Sequence, residues 1–125
     1  MNYNELTRRY FELPASAGRL SGPLVYRGAA GNREHGTWVQ FDLQAASGTM
    51  NAVRFLAFGC PHTIAVSAWV AEQAVGKPVE RRLPSILNDI SLRFAVPEEK
   101  LGRLLIVEDA WLAAIDAAIA HSSID

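Results

Sequence analysis

Cys60 is the single cysteine of the 125-residue chain, and its neighbours favour a reactive thiol. It lies in the run Phe55-Leu56-Ala57-Phe58-Gly59-Cys60-Pro61-His62-Thr63-Ile64-Ala65, where a strand-like pattern hands over to helical spacing. Pro61 suits the first position of a helix, because the N–H it lacks would have no intrahelical partner there. Cys60 then falls at the N-cap, facing the positive end of the helix dipole. A thiol so placed ionises more readily, and the thiolate is the form that attacks sulfur or binds metal. The competing expectation is that a lone cysteine packs as a small buried hydrophobe. His62, two residues on, is a candidate metal ligand, although a ligating histidine needs an orienting partner and a lone one is more often structural or exposed.

The elements that must position this corner can be read on either side of it. Asn4 to Leu13 carries Leu6, Tyr10, Phe11 and Leu13 at near-helical spacing and stops at Pro14, which predicts a short N-terminal helix. A loop rich in Gly, Ser and Pro follows, and Leu24-Val25-Tyr26 is a candidate first strand. Thr37 to Gln44 alternates, with Val39, Phe41 and Leu43 on one face and Trp38, Gln40 and Asp42 on the other, the pattern of a half-buried strand. Ala45-Ala46-Ser47-Gly48 reads as a hairpin connection, returning through Met50 to Phe58. Beyond Cys60, Ile64, Ala68, Ala71 and Val75 recur at helical spacing, with Gly76 as a C-terminal cap before Pro78. Pro84 opens a short helical run through Ile86, Leu87 and Ile90, and a last helix from about Leu104 to His121 carries Leu105, Leu112, Ile115 and Ile119. Strands first and helices after predict an α+β fold, a three-stranded antiparallel sheet with helices packed on one face.

Composition narrows the function classes. Half of the residues are hydrophobic and 20% are charged, which suits one compact domain spanning residues 1–125. Twelve Lys and Arg against thirteen Asp and Glu create no field that recruits nucleic acid or an anionic membrane. No apolar run approaches the ~20 residues of a membrane helix. The polar, charged stretch from Met1 to Arg9 and the absence of paired cysteines predict a cytoplasmic protein. Walker, GxGxxG and HExxH motifs are absent from the sequence.

The Cys60 run, followed by Glu72 and Gly76-Lys77, resembles the second-cysteine segment of the IscU and NifU N-terminal iron–sulfur scaffold family, whose pattern is FxxFGCxxAIASS with a later GK. Continued without a gap, Asn88-Asp89-Ile90 falls on a family Thr-Asp-Ile, Val96 to Lys100 on the chaperone-recognition segment Leu-Pro-Pro-Val-Lys, and Glu108-Asp109-Ala110 on a family Glu-Asp-Ala. Tyr10 to Gly18 is similar to a loose version of HYxNPRNVG. The resemblance implies the family's fold, a role in iron–sulfur cluster assembly, iron or a cluster as bound species, and a cysteine desulfurase among the partners.

The departures sit at the cluster ligands. The family uses three cysteines, an Asp two residues after the first, and often a His beside the third, since a cluster needs several converging thiolates. Here His35-Gly36-Thr37 falls on the family's Cys-Gly-Asp and Gly102-Arg103 on its His-Cys. A guanidinium has donors only and stays protonated, so Arg103 cannot ligate iron. The chaperone segment keeps only Pro97 and Lys100.

Three functions remain open on these residues. The first is a divergent scaffold protein in which Cys60, with His35 and His62, holds iron or a cluster transiently, imidazole replacing thiolate. The second is a sulfur acceptor resembling the SufE type, in which Cys60 takes a persulfide from a cysteine desulfurase and Arg103 stabilises its thiolate. Both are carriers rather than enzymes. The third is a non-catalytic interaction module that kept the fold and lost the site. Trp38, on the outward strand face, is its anchor candidate, whereas Trp69 and Trp111 are expected in the core.

Overall fold

The computed structural model describes residues 3–12 and 14–122. Leu13, assigned above to the end of the first helix, lies outside them. The sheet consists of β1 (Val25–Asn32), β2 (Thr37–Ala46) and β3 (Thr49–Phe58), antiparallel in the order β1-β2-β3. Ser47 and Gly48 close the β2–β3 hairpin with φ of 55° and 77°, the sign that a tight two-residue turn requires. The helices are α1 (Glu5–Glu12), α2 (Pro61–Ala74), α3 (Leu87–Arg93) and α4 (Leu101–Ser122). Short 3-10 turns, Arg33–His35 and Glu98–Lys100, precede β2 and α4. The α+β expectation therefore holds, and α3 begins at Leu87 rather than at Pro84, with Ile86 as its exposed N-cap.

One face of the sheet carries the core. The register pairs Phe41 with Phe55 and Leu43 with Val53, so large apolar side chains of the two strands share a face and pack across it. Trp111 of α4 meets Phe41 edge-on, with ring centroids 5.2 Å apart. Its indole N–H donates to the Arg82 carbonyl at 2.8 Å. Trp69 and Trp111 are both buried, as expected.

β1 runs well past the Leu24-Val25-Tyr26 stretch that its side chains predict. Arg27-Gly28-Ala29-Ala30-Gly31 has weak intrinsic strand preference, but packing overrides propensity in sheets. Small residues let α4 lie directly on the strand: a Cβ on Gly28 would collide with the backbone of Ala113 and Ala114. The same close approach selects the buried stripe of α4. It runs through Leu104, Val107, Ala110, Trp111, Ala114, Ile115 and Ala118. Of the expected stripe only Ile115 is fully buried; Leu105 is 51% exposed.

The outer face corrects the reading of β2 as half-buried. Asp42 is only 1% exposed and Gln40 is buried, because residues 16–20 cross this face. Gly18 N–H donates to the Phe55 carbonyl at 2.8 Å and Phe55 N–H to that of Ser16 at 3.0 Å, which occupies the free edge of β3. Leu20 N–H then reaches Asp42 Oδ2 at 2.9 Å. The register places Arg27 and Arg54 on either side of Asp42, and Arg27 donates to both carboxylate oxygens, at 2.7 and 2.9 Å.

α2 is enclosed almost all round, with His62, Thr63, Val66, Trp69 and Val70 among its buried residues. α1 packs against it, and Tyr10 Oη donates to Glu72 Oε1 at 2.8 Å. Phe11, expected on the packed face of α1, is exposed instead. The end of α2 is as expected: Val75 leaves helical geometry and Gly76 follows with φ of 86°.

Candidate functional site

β3 ends at Phe58, and Gly59-Cys60 turns the chain into α2. Cys60 is the N-cap of that helix, with φ −74° and ψ 166°, and Pro61 occupies its first position. The thiol is partly exposed and free. Gly59 is fixed by crowding: a Cβ there would stand 3.2 Å from Thr63 Cβ and Cγ2. Its absence lets Thr63 turn its hydroxyl toward the cysteine, so that Sγ and Oγ1 are 3.6 Å apart.

The electrostatics favour a thiolate. Burial alone would push the thiol pKa up, but the Thr63 hydroxyl, the Thr63 amide, the Arg103 guanidinium and the His62 amide together hold it below the ordinary value. The amides are the open donors of a helix N-terminus. Arg103, in the first turn of α4, is among the groups that lower the thiol pKa. Thr63 was not singled out in the sequence, although a hydroxyl three residues after an N-cap faces the cap on the first turn.

The two histidines are placed differently. His35 is exposed in the 3-10 turn before β2, whose first residues lie beside the last residues of β3. That turn stands at the Cys60 end of the sheet, but the described hydrogen bonds do not join His35 to Cys60. His62 is 4% exposed and packs edge-on to Tyr3, with centroids 4.8 Å apart. Burial, then the charges of Lys100 and Arg103, lower its pKa and so favour the neutral ring. The cation neighbours are the reverse of what a metal-binding imidazole requires.

Among the described residues, no three His, Cys, Asp or Glu side chains gather into a metal-sized group. The groups that act on Cys60 among the described residues are one hydroxyl, backbone amides and a guanidinium beside the single thiol, which does not fit a cluster held by several thiolates. Trp38 is half-buried, with the Arg33 guanidinium 4.8 Å from its ring centroid and 6.0 Å from that of Phe58. In the segment aligned with chaperone recognition, Glu98 and Glu99 are exposed and Lys100 Nζ lies 5.5 Å from the centre of the Tyr3 ring.

A family model described as NifU-like N terminal domain matches residues 2–123. The chain belongs to this family. Among curated relatives of this NifU-like domain, an iron–sulfur cluster assembly protein IscU of Plasmodium falciparum is 28% identical over 116 residues, covering 91% of this chain and 72% of the relative. Iron sulfur cluster assembly protein 1 of Trachipleistophora hominis is also 28% identical over 116 residues, covering 91% and 84%. A solved NifU-like protein (N-terminal) from Brucella abortus shares the fold, with a TM-score of 0.57 at 15% identity over 97% of this chain and 92% of that one. A solved scaffold protein described as serving the SUF system in Fervidobacterium islandicum has a TM-score of 0.56 at 17% identity, over 94% of each chain. The resemblance read around Cys60 and the predicted fold agree with this membership. No helix among the described residues is long and apolar enough to cross a membrane.

Proposed function

We propose that this NifU-like domain serves iron–sulfur cluster assembly as a sulfur carrier, with Cys60 accepting the outer sulfur of a persulfide on a cysteine desulfurase. The two curated relatives named as iron–sulfur cluster assembly proteins support the process. One feature supports the role within it: Arg103 falls on the third-cysteine position of the family pattern, and its guanidinium is among the groups that lower the Cys60 thiol pKa, beside the Thr63 hydroxyl 3.6 Å from the sulfur. A fixed cation beside the sulfur suits a single thiolate or persulfide, and it opposes iron.

In the reaction, the Cys60 thiolate attacks the outer sulfur of R–S–SH. The Sγ–S bond forms as the donor S–S bond breaks, the donor leaves as a thiolate, and the outer sulfur keeps its proton. One thiolate is consumed and one released, so no external oxidant or reductant is needed. Thr63, Arg103 and the amides of His62 and Thr63 stabilise the attacking thiolate. A later thiolate collects the sulfur by the same exchange.

The test is incubation with a cysteine desulfurase and 35S-labelled cysteine. Label released by reductant is expected on the wild-type chain and not on Cys60→Ser. A chain purified anaerobically with stoichiometric iron and acid-labile sulfide, and taking no label, would return the function to a cluster-holding scaffold with Cys60 and His35 as ligands.

A further inference from the structure

His62 is buried, yet its Nδ1 has no hydrogen-bond partner among the described residues. A buried polar atom left unpaired carries a desolvation penalty, and the sulfur chemistry proposed above uses only the backbone amide of this residue. What the ring does contact is informative. It stands against Tyr3, with centroids 4.8 Å apart and planes at 69°. The ammonium of Lys100 approaches the same Tyr3 ring, 5.5 Å from its centroid. Lys100 ends the turn Glu98–Lys100, which runs without a break into α4 at Leu101, and Arg103 follows in the first turn of that helix. Imidazole, phenol ring and ammonium therefore link the second residue of α2 to the entrance of α4.

We infer that His62 is a positioning residue, its ring seating Tyr3 and Lys100 so that the start of α4 holds the Arg103 guanidinium against the Cys60 sulfur. This rests on the reading of Cys60 as an activated thiolate. Two alternatives fit less well. A metal ligand would not be set among cations, and a general base for Cys60 would share a hydrogen bond with the thiol, whereas the described side-chain hydrogen bond of Cys60 goes to Thr63 and Nδ1 has no partner among the described residues. A neutral ring also suits the place on charge grounds. It can be buried beside Lys100 and Arg103 and adds no charge to compete for the thiolate.

The experiment is the rate of Cys60 alkylation by iodoacetamide against pH, in the full chain, for wild type, His62→Ala, His62→Phe, Tyr3→Ala, Arg103→Ala and the double variant H62A/R103A. At neutral pH, His62→Ala and Tyr3→Ala are expected to slow alkylation roughly three- to tenfold and to move the midpoint upward, as Arg103→Ala does, on the scale of one charge withdrawn from a partly exposed thiolate. The double variant is expected to match Arg103→Ala, and His62→Phe, which keeps a ring, to match wild type. Tyr3→Ala carries the test if His62→Ala does not fold. A wild-type profile equal to that of an ordinary thiol overturns this inference together with the sulfur-carrier reading. A lowered wild-type midpoint that responds to Arg103→Ala but not to His62→Ala or Tyr3→Ala, or losses that add in the double variant, overturn the positioning role alone.

Discussion

The Cys60 sulfur lies 3.6 Å from the Thr63 hydroxyl, across the first turn of the helix that the cysteine caps. The contact gives the thiolate a side-chain donor in addition to the backbone amides. Because Gly59 leaves the space that Thr63 occupies, the Gly-Cys pair and the threonine three residues on act as one local unit.

Thr63→Val keeps the volume of this buried side chain and removes the donor. Alkylation of Cys60 at pH 7 is expected to slow about two- to fivefold, the scale of one hydrogen bond to the charged form of a thiol. Iodoacetamide rates compared with wild type at several pH values check this. Equal rates would mean that the contact is packing alone.

Arg103→Ala should raise the pH at which Cys60 becomes alkylatable and slow the neutral-pH reaction by up to about tenfold, since an opposite charge near a thiol favours the thiolate and solvent screening limits the gain. Arg103→Lys should lose less, because it keeps the charge and loses the planar fork. Superimposable profiles for the three proteins would separate Arg103 from the site.

Cys60→Ser should abolish label transfer while changing stability by less than about 1 kcal/mol near neutral pH, because serine is a good N-cap. The pH dependence has a definite sign. A thiol pKa lowered by folding stabilises the folded state once pH exceeds the unfolded value, and that stability is lost as pH falls through the folded value. Wild type should therefore gain on Cys60→Ser as pH rises through the lowered thiol value toward the ordinary one, and then hold a constant difference. Urea unfolding of both proteins across that range measures it, and a loss well above the cap scale at neutral pH would make Cys60 a core residue.

Local chemistry made one part of the site legible in the sequence. Pro61 after Cys60 and the change from alternation to helical spacing located the corner, and Gly76 located the end of the same helix. Arg103 emerged only by running the family pattern through the chain, since 43 positions separate it from Cys60 and no local pattern links them. Tyr3 gave no signal, and Lys100 gave one only as part of the chaperone segment: the contacts of Tyr3 with His62 and Lys100 depend on how residues near the chain start and the α4 entrance fold onto α2.

Misread faces have a common cause in close packing. The expected α4 stripe follows its large side chains, but Gly28 lets α4 approach β1 closely at Ala113 and Ala114, and the buried stripe includes Ala110, Ala114 and Ala118 beside Leu104, Trp111 and Ile115. The outer face of β2 was read as open because Gln40 and Asp42 are polar. Asp42 is polar and buried because Arg27, Leu20 and Gln40 satisfy it, a set visible only once the register is known.

Asp42→Asn tests that outer face. Burial would raise the Asp42 pKa, but hydrogen bonds and charge from Arg27, the Leu20 amide and the Gln40 amide outweigh it and hold the carboxyl below its ordinary value. The pair therefore stabilises the fold above the unfolded carboxyl pKa, and this contribution is lost as pH falls through the folded value. Replacement by Asn should cost about 1.5–3 kcal/mol at pH 7, the scale of hydrogen bonds to a charged group. It should cost less than a fully buried pair, because the Arg27 side chain is 47% exposed and can turn to water. Below the folded pKa of Asp42 the two proteins should converge in stability. Urea midpoints at neutral and acid pH test both parts, and a pH-independent difference would assign the loss to packing.

Anaerobic reconstitution with iron and sulfide is the remaining test, because it bears on the cargo rather than on the thiol. A cluster needs several thiolates on one site, whereas the described side chains at Cys60 supply one thiol, the Thr63 hydroxyl and a guanidinium. Iron brought to Cys60 would also face the fixed charge of Arg103, the charge that favours an anionic sulfur. Reconstituted protein is therefore expected to lose iron and acid-labile sulfide on desalting and to show no stable visible absorption band. Arg103→Cys restores a thiol at the third-cysteine position and removes the opposing cation, so it should retain more iron than wild type, although a second thiolate alone does not complete a ligand set. Iron and sulfide counted per chain after gel filtration decide the matter. Stoichiometric retention by the wild-type chain would show that ligands outside this corner complete a cluster site, and Arg103 would then have to act on something other than the Cys60 thiolate.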